Sequence, residues 1–310
     1  MSAVLNNCDE KSPFRLENDC AYREWRERKL GLREAVPARQ VFTLDPRYAF
    51  DDDLRARLGR QIDAHGFVLF EPTGGNLDSR DFIALNRRFG LHRLDANPGA
   101  GEDSVTALQV VQAPDPRAQY IPYTNRAMNW HTDGYYNPAE RRVNAFALYC
   151  VHPASRGGDN YLFDHEMMYL RVRDESPELL HALMQDDLMC VPANVQGNRI
   201  IRAEESGPVF SMLPLSCALN MRYTSRPHNI VWKNDARSRR ALDLVREILV
   251  SGCALVELRL RAGQGLVCNN LLHGRQAFQD DPVGPARLVY RARYHDVIDL
   301  DRGRQAEGLH

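Results

Sequence analysis

Residues 129–137, NWHTDGYYN, and residues 268–278, CNNLLHGRQAF, decide how this 310-residue chain is read. Between them they supply His131, Asp133 and His273, two imidazoles and one carboxylate. That donor set, placed on one face, binds mononuclear Fe(II) in oxygen-activating sites and leaves the opposite positions open. Alternate side chains of an extended strand share a face, so His131 and Asp133 point together while Thr132 points away. The third donor must then come from a distant strand folded back opposite. Residues 256–274, VELRLRAGQGLVCNNLLHG, read as two short strands around a Gly263-Gln264-Gly265 turn, ending at His273. Strands arranged in this way predict a double-stranded barrel.

A His two residues before an Asp is common by chance and is usually an exposed polar pair. The segment after His273 gives it weight. In residues 287–296, RLVYRARYHD, period two places Arg287, Val289, Arg291 and Arg293 on one face. The plain alternative is a solvated basic edge strand that blocks sheet-to-sheet aggregation. Beside a metal motif, Arg287 reads instead as a carboxylate clamp.

HTD, then HGRxxF, then an arginine fourteen residues after the second His resemble the TauD/TfdA-type Fe(II)/2-oxoglutarate dioxygenases. HGR and the fourteen-residue interval are similar to clavaminate synthase-like members. YTNRAMNWHTD, with Tyr123 eight residues before His131, is similar to the gamma-butyrobetaine hydroxylase branch. The resemblance covers residues 40 to 300 and implies a mainly β jelly roll, a double-stranded β-helix, with flanking helices. It also implies Fe(II) on His131, Asp133 and His273, with 2-oxoglutarate and O2 as cosubstrates. Arg287 matches the arginine that holds the distal carboxylate of 2-oxoglutarate through a bidentate pair. Arg291 matches a position where several relatives contact substrate.

Four departures qualify the match. Gly157-Gly158-Asp159-Asn160 stands where the family often has Gly-Gly-Asp-Thr, and the Asn160 amide can still donate to a carboxylate. Cys268-Asn269-Asn270 replaces Asp-Asn-Arg, which makes Asn270 a neutral pocket candidate. Arg293 stands where an aromatic of a trimethylammonium cage would align, and a cation there disfavours a betaine. No cysteine-rich zinc segment opens the chain. Arg291 and Arg293 suggest an anionic substrate, and Tyr123 and Tyr135 an aromatic wall.

Composition agrees. Hydrophobic residues make up 44% and the formal net charge is -1, so no overall field recruits nucleic acid or an anionic membrane. Seven cysteines without CxxC spacing read as reduced thiols of a cytoplasmic protein. No apolar run reaches membrane-spanning length. A homo-oligomer is compatible with the chain, and its partner is a small-molecule substrate. Residues 1–36 read as a polar extension with a surface helix, its order left open. Residues 37–300 read as one domain, and 301–310 as a tail. Helices are expected at 51–65, 78–90 and 234–252, with two across 164–189, the second starting at Ser176-Pro177, and residues 194–202 read as a loop or hairpin that could cover the site. His165 and Glu166 open a predicted helix and read as structural. Trp130 reads as core. The expected reaction is hydroxylation, or desaturation, of an unactivated C-H bond in a small anionic or zwitterionic metabolite such as an amino acid, releasing succinate and CO2. Asp133 in the ligand set speaks against halogenation. The competing reading is a non-catalytic barrel acting as sensor or binding subunit.

Overall fold

The computed structural model describes residues 12–302 except 97–98, 102, 198, 215, 227 and 253–254. The expected tail beyond 302, the first eleven residues of the extension, and Cys8 and Cys253 lie outside the described residues. In chain order the elements used below are α1 (Asp19–Ala35), β1 (Val41–Leu44), α2 (Asp52–His65), β2 (Phe67–Pro72), α3 (Ser79–Arg87), β3 (Thr106–Leu108), β4 (Met128–His131) and β5 (Ala145–His152). They continue with β6 (Asn160–Phe163), α4 (His165–Glu175), α5 (Pro177–Leu183), α6 (Ala236–Ser251), β7 (Leu255–Leu258), β8 (Gly265–Asn269), β9 (Leu272–Arg275) and β10 (Leu288–Tyr294).

Capping residues fix the helix starts where the sequence places them. The carboxylates of Asp51, Asp78 and Asp164 and the hydroxyl of Ser176 accept backbone N–H groups in the first turns of α2, α3, α4 and α5. Gly66 ends α2 with φ 74°, the left-handed conformation that glycine adopts at least cost.

The strands form a six-stranded sheet, β1-β2-β8-β5-β10-β3, and a four-stranded sheet, β7-β6-β9-β4. Alternation explains their apolar runs. In β5, Ala145, Ala147 and Tyr149 pack beneath α2 and α3, while Phe146, Leu148 and Cys150 face the second sheet. Strands β2, β8 and β10 divide in the same way. Leu162 of β6 and Val256 and Leu258 of β7 meet the inner residues, so the two sheets share one core. Helices α4, α5 and α6 cover the outer face of the smaller sheet through Phe163 and Leu272. The result is a mixture of helices and strands, with helices taking more of the fold than a mainly β reading allows.

Two expectations change. His273 does not end the strand after the Gly263 turn. The chain leaves β8 at Asn269, bends at Asn270-Leu271 and crosses to the other sheet, where His273 lies on β9. Helix α1 is docked, with Tyr22, Trp25 and Lys29 buried. Lys29 Nζ lies 2.8 Å from Asp164 Oδ2 and 2.6 Å from Glu166 Oε2. Arg173 ties down the segment before α1 by donating to the carbonyls of Pro13, Arg15 and Leu16. The hairpin is present, pairing Asn194–Gln196 with Arg199–Arg202.

Burial raises the Asp164 carboxyl, but Lys29 and Arg33 outweigh it and hold it down to about 2. This depressed value supplies stability that is fully present above the unfolded pKa of about 3.9 and is lost as pH falls toward 2. Lys29→Met should cost about 3–5 kcal/mol in urea unfolding at neutral pH, because it strands a buried carboxylate. It should also move the acid-unfolding midpoint upward. An unchanged midpoint would show that the pair contributes nothing.

Candidate active site

Strand β9 runs antiparallel to β4 and sets His273 directly opposite His131. The imidazole centroids are 4.2 Å apart. Strand β4 stops at His131, so Asp133 lies just past it rather than on it. Extended backbone nevertheless continues through Thr132, whose N–H donates to Tyr223 O (3.0 Å) and whose hydroxyl accepts from Tyr223 N (3.1 Å). That turns Thr132 away and Asp133 inward, as period two requires. Gly134 follows at φ 67°, and a Cβ there would come within 2.6 Å of Val143. Trp130 points outward and packs edge-on against Tyr161, with ring centroids 4.5 Å apart.

One donor atom from each of His131, Asp133 and His273 lies within 4.8 Å of the others. His131 Nδ1 bonds to Asn129 O and His273 Nδ1 to Leu271 O, each at 2.8 Å. A carbonyl only accepts, so each Nδ1 carries the proton and Nε2 keeps its lone pair. Burial, then the neighbouring His273, pulls the His131 pKa down to about 3, and burial lowers His273 as well. Burial works against ionisation of Asp133, but Arg291 and Arg293 prevail and hold it well below the usual carboxylate range. Its Oδ1 is 3.3 Å from Arg291 Nη1 and 3.7 Å from Arg293 Nη1, whereas Oδ2 is buried without a partner. Two neutral imidazoles and an orphaned carboxylate oxygen are the donor set that Fe(II) takes.

Strand β10 lies between β5 and β3, and Arg287, Arg291 and Arg293 are all buried. The solvated-edge alternative is therefore wrong. Arg287 Nη1 has no partner, and the residue shares a small pocket with Asn160, Gly158 and Cys150. Its guanidinium lies 5.0 Å from the Phe278 ring centroid, and Arg275, equally buried, sits 4.7 Å from the same ring. Burial, then Arg287, lowers Arg275 to about 10.

Arg293 differs from expectation. It pairs with buried Asp95 and with the Tyr136 hydroxyl (3.1 Å), so its charge is largely met within the protein, while its Nε is buried without a partner. Arg291 keeps a buried Nε without a partner. Asn270 also differs. Its Oδ1 accepts from Asp133 N (2.8 Å) and its Nδ2 donates to Asp133 O (2.8 Å) and Val143 O (2.7 Å), so the amide grips the Asp133 loop. Tyr123 is buried beside Leu148 and Val289, with Arg117 over its ring at 5.3 Å. Tyr135 is half-buried and edge-on to Tyr136 at 5.2 Å. His165 bonds to Leu219 O (3.0 Å) and Glu166 pairs with Lys29, both in structural roles. Asp95 and Arg275 were not anticipated, because Asp95 reaches Arg293 only through the fold and Arg275 hides within HGR.

Residues 28–293 match the model of the taurine catabolism dioxygenase TauD, TfdA family. The chain belongs to this family. It is 33% identical over 176 residues to a uridine-5'-phosphate dioxygenase of a Streptomyces species, a match covering 55% of this chain and 62% of that protein. It is 29% identical over 258 residues to a uridine-5'-phosphate dioxygenase of an Amycolatopsis species, covering 80% and 91%. The solved non-heme iron oxygenase OrfP, in complex with Fe, succinate and (3S)-hydroxy-L-Arg, shares the fold at a TM-score of 0.57 and 16% identity, covering 83% of this chain and 84% of that one. As a TauD/TfdA member the chain is an iron- and 2-oxoglutarate-dependent oxygenase, and its His131, Asp133 and His273 donor set fits that assignment.

Asn270→Leu should weaken Mn(II) or Fe(II) binding about 10- to 100-fold without unfolding the protein, the scale seen when outer hydrogen bonds to metal ligands are lost. Calorimetric titration checks this. An unchanged affinity would reduce the bracket to loop packing.

Proposed function

We propose that this protein oxygenates a C-H bond of a small anionic metabolite on a jelly-roll scaffold, with a nucleoside 5'-monophosphate of the uridine type as the first substrate class. The observation that carries the reaction is the facing His131 and His273 with an orphaned Asp133 oxygen, in a chain that also buries Arg287 with its Nη1 unpartnered. The substrate class rests on the two uridine-5'-phosphate dioxygenase relatives and on the unpartnered Nε of Arg291. The amino acid expected from sequence remains the comparison substrate.

His131 and His273 would hold the metal through Nε2 and Asp133 through Oδ2. When bound, iron supplies oxygen activation coupled to decarboxylation of 2-oxoglutarate to succinate and CO2. Arg287, with Asn160 nearby, would take the distal carboxylate of 2-oxoglutarate, for which a buried guanidinium with an unpartnered Nη1 is suited. Arg291 would orient the anionic group of the substrate, with Tyr123 and Tyr135 along the wall. Phe146, Leu148, Leu162 and Val289 line the shared core and keep water from the reacting carbon. With Asp133 filling its ligand position, hydroxylation or desaturation is the outcome.

Metal-free protein titrated anaerobically with Fe(II) and then 2-oxoglutarate should develop the weak visible band of a chelated keto acid. Arg287→Ala should need about 30-fold or more 2-oxoglutarate, the equivalent of about 2 kcal/mol. Succinate release on adding uridine 5'-phosphate, and not on adding free amino acids, would establish the substrate class. The reverse pattern would overturn it. No band in wild type would leave the sensor reading.

A further inference from the structure

The loop after Asp133 is gripped by Asn270 on one side, and a second side chain holds it from another. Asn137 N donates to Gly134 O (2.8 Å), closing a tight turn with Tyr135 and Tyr136 at its centre. The central carbonyl of such a turn has no partner inside the turn. Tyr135 O accepts instead from Arg222 Nε (2.6 Å). The rest of that guanidinium reaches a different part of the chain, with Nη1 donating to Met189 O (2.9 Å) and Gly207 O (3.4 Å) and Nη2 to Glu205 O (2.9 Å). Met189–Val191 and Glu205–Gly207 pair antiparallel, and the 194–202 hairpin projects from the stem they form. Arg222 therefore bolts that stem to the metal loop. Its own main chain is fixed as well, since Arg222 N donates to Val209 O (2.8 Å) and the next residue, Tyr223, exchanges bonds with Thr132.

All four of these bonds go to backbone carbonyls, so the guanidinium works as a clamp on main chain. What the clamp sets is the Tyr135–Tyr136 peptide. Tyr136 leaves that peptide with its hydroxyl accepting from Arg293 Nη1 (3.1 Å), and the same Nη1 lies 3.7 Å from Asp133 Oδ1. Rotation of the peptide would carry the Tyr136 ring with it and shift the charge beside the metal ligand. We propose that Arg222 is a positioning residue of the oxygenase, holding Tyr135 O so that Tyr136 and Arg293 keep the Asp133 carboxylate in place, and seating the hairpin stem against the metal loop with the same side chain. This role rests on the assignment of the metal to His131, Asp133 and His273.

Calorimetric titration of the full chain with Mn(II), with the melting temperature read alongside, tests it. Wild type should bind one Mn(II), and His131→Ala should lose it. Arg222→Lys keeps the charge, but a single ammonium cannot span carbonyls that a planar fork holds together. It should weaken Mn(II) binding about tenfold, the lower end of what losing an outer partner of a metal ligand does, and Arg222→Met at least as much. Tyr136→Phe should weaken binding too, and joining it to Arg222→Lys should give less than the product of the two single effects, because both act through one peptide. Should Arg222→Met fail to fold, Arg222→Lys and this cycle decide. A lowered melting temperature with wild-type Mn(II) affinity in Arg222→Lys would reduce the residue to packing, and independent effects in the cycle would remove the path through Tyr136; either result overturns the proposal. Mn(II) binding that His131→Ala leaves intact would instead overturn the metal assignment itself, and the role of Arg222 with it.

Discussion

Everything around the metal site answers one cost, that of burying the Asp133 carboxylate. An ionised carboxylate taken out of water is stable only if opposite charge and hydrogen bonds replace its hydration. Arg291 and Arg293 supply the charge on one oxygen and leave the other bare. Arg293 is itself buried and so needs Asp95, which in turn lies 3.7 Å from His295 Nε2. The alternating signs run from the loop before β3 through β10 to the turn after β4. A carboxylate fixed on one side and open on the other leaves a donor free for a metal, which a closed ion pair would not.

The scaffold delivers these groups by alternation. Because β10 sits inside the larger sheet, its even residues Tyr290, Ala292 and Tyr294 pack under the helices while Val289, Arg291 and Arg293 turn inward. The crossing at Asn270-Leu271 then moves the chain to the smaller sheet just in time for His273 to meet His131. Asn270 stands at that corner and grips the opposite loop, so the change of sheet and the placement of Asp133 are one event.

Much of this was legible. His131 and Asp133 follow from period two, the caps of α2 to α5 from single residues, and the inward arginines from a strand whose two faces differ in composition. The crossing after β8 was not, because Asn270-Leu271 carries no glycine or proline to punctuate it and β8 and β9 merge into one apolar run. The spent charge of Arg293 was not legible either, since its partner Asp95 is 198 residues away and nothing local marks it. Docking of α1 hides in a helix dense with charge, where Tyr22, Trp25 and Lys29 alone are buried.

The ring of Phe278, shared by Arg275 and Arg287, has a thermodynamic side. Two buried guanidinium groups that share one aromatic ring, with backbone carbonyls at Thr124 and Arg126 as the chief relief for Arg275, store like-charge repulsion inside the fold. An anion entering beside Arg287 discharges that repulsion, so its binding free energy includes a share of conformational stability returned to the protein. Occupancy of such a site and resistance to unfolding would then be linked quantities.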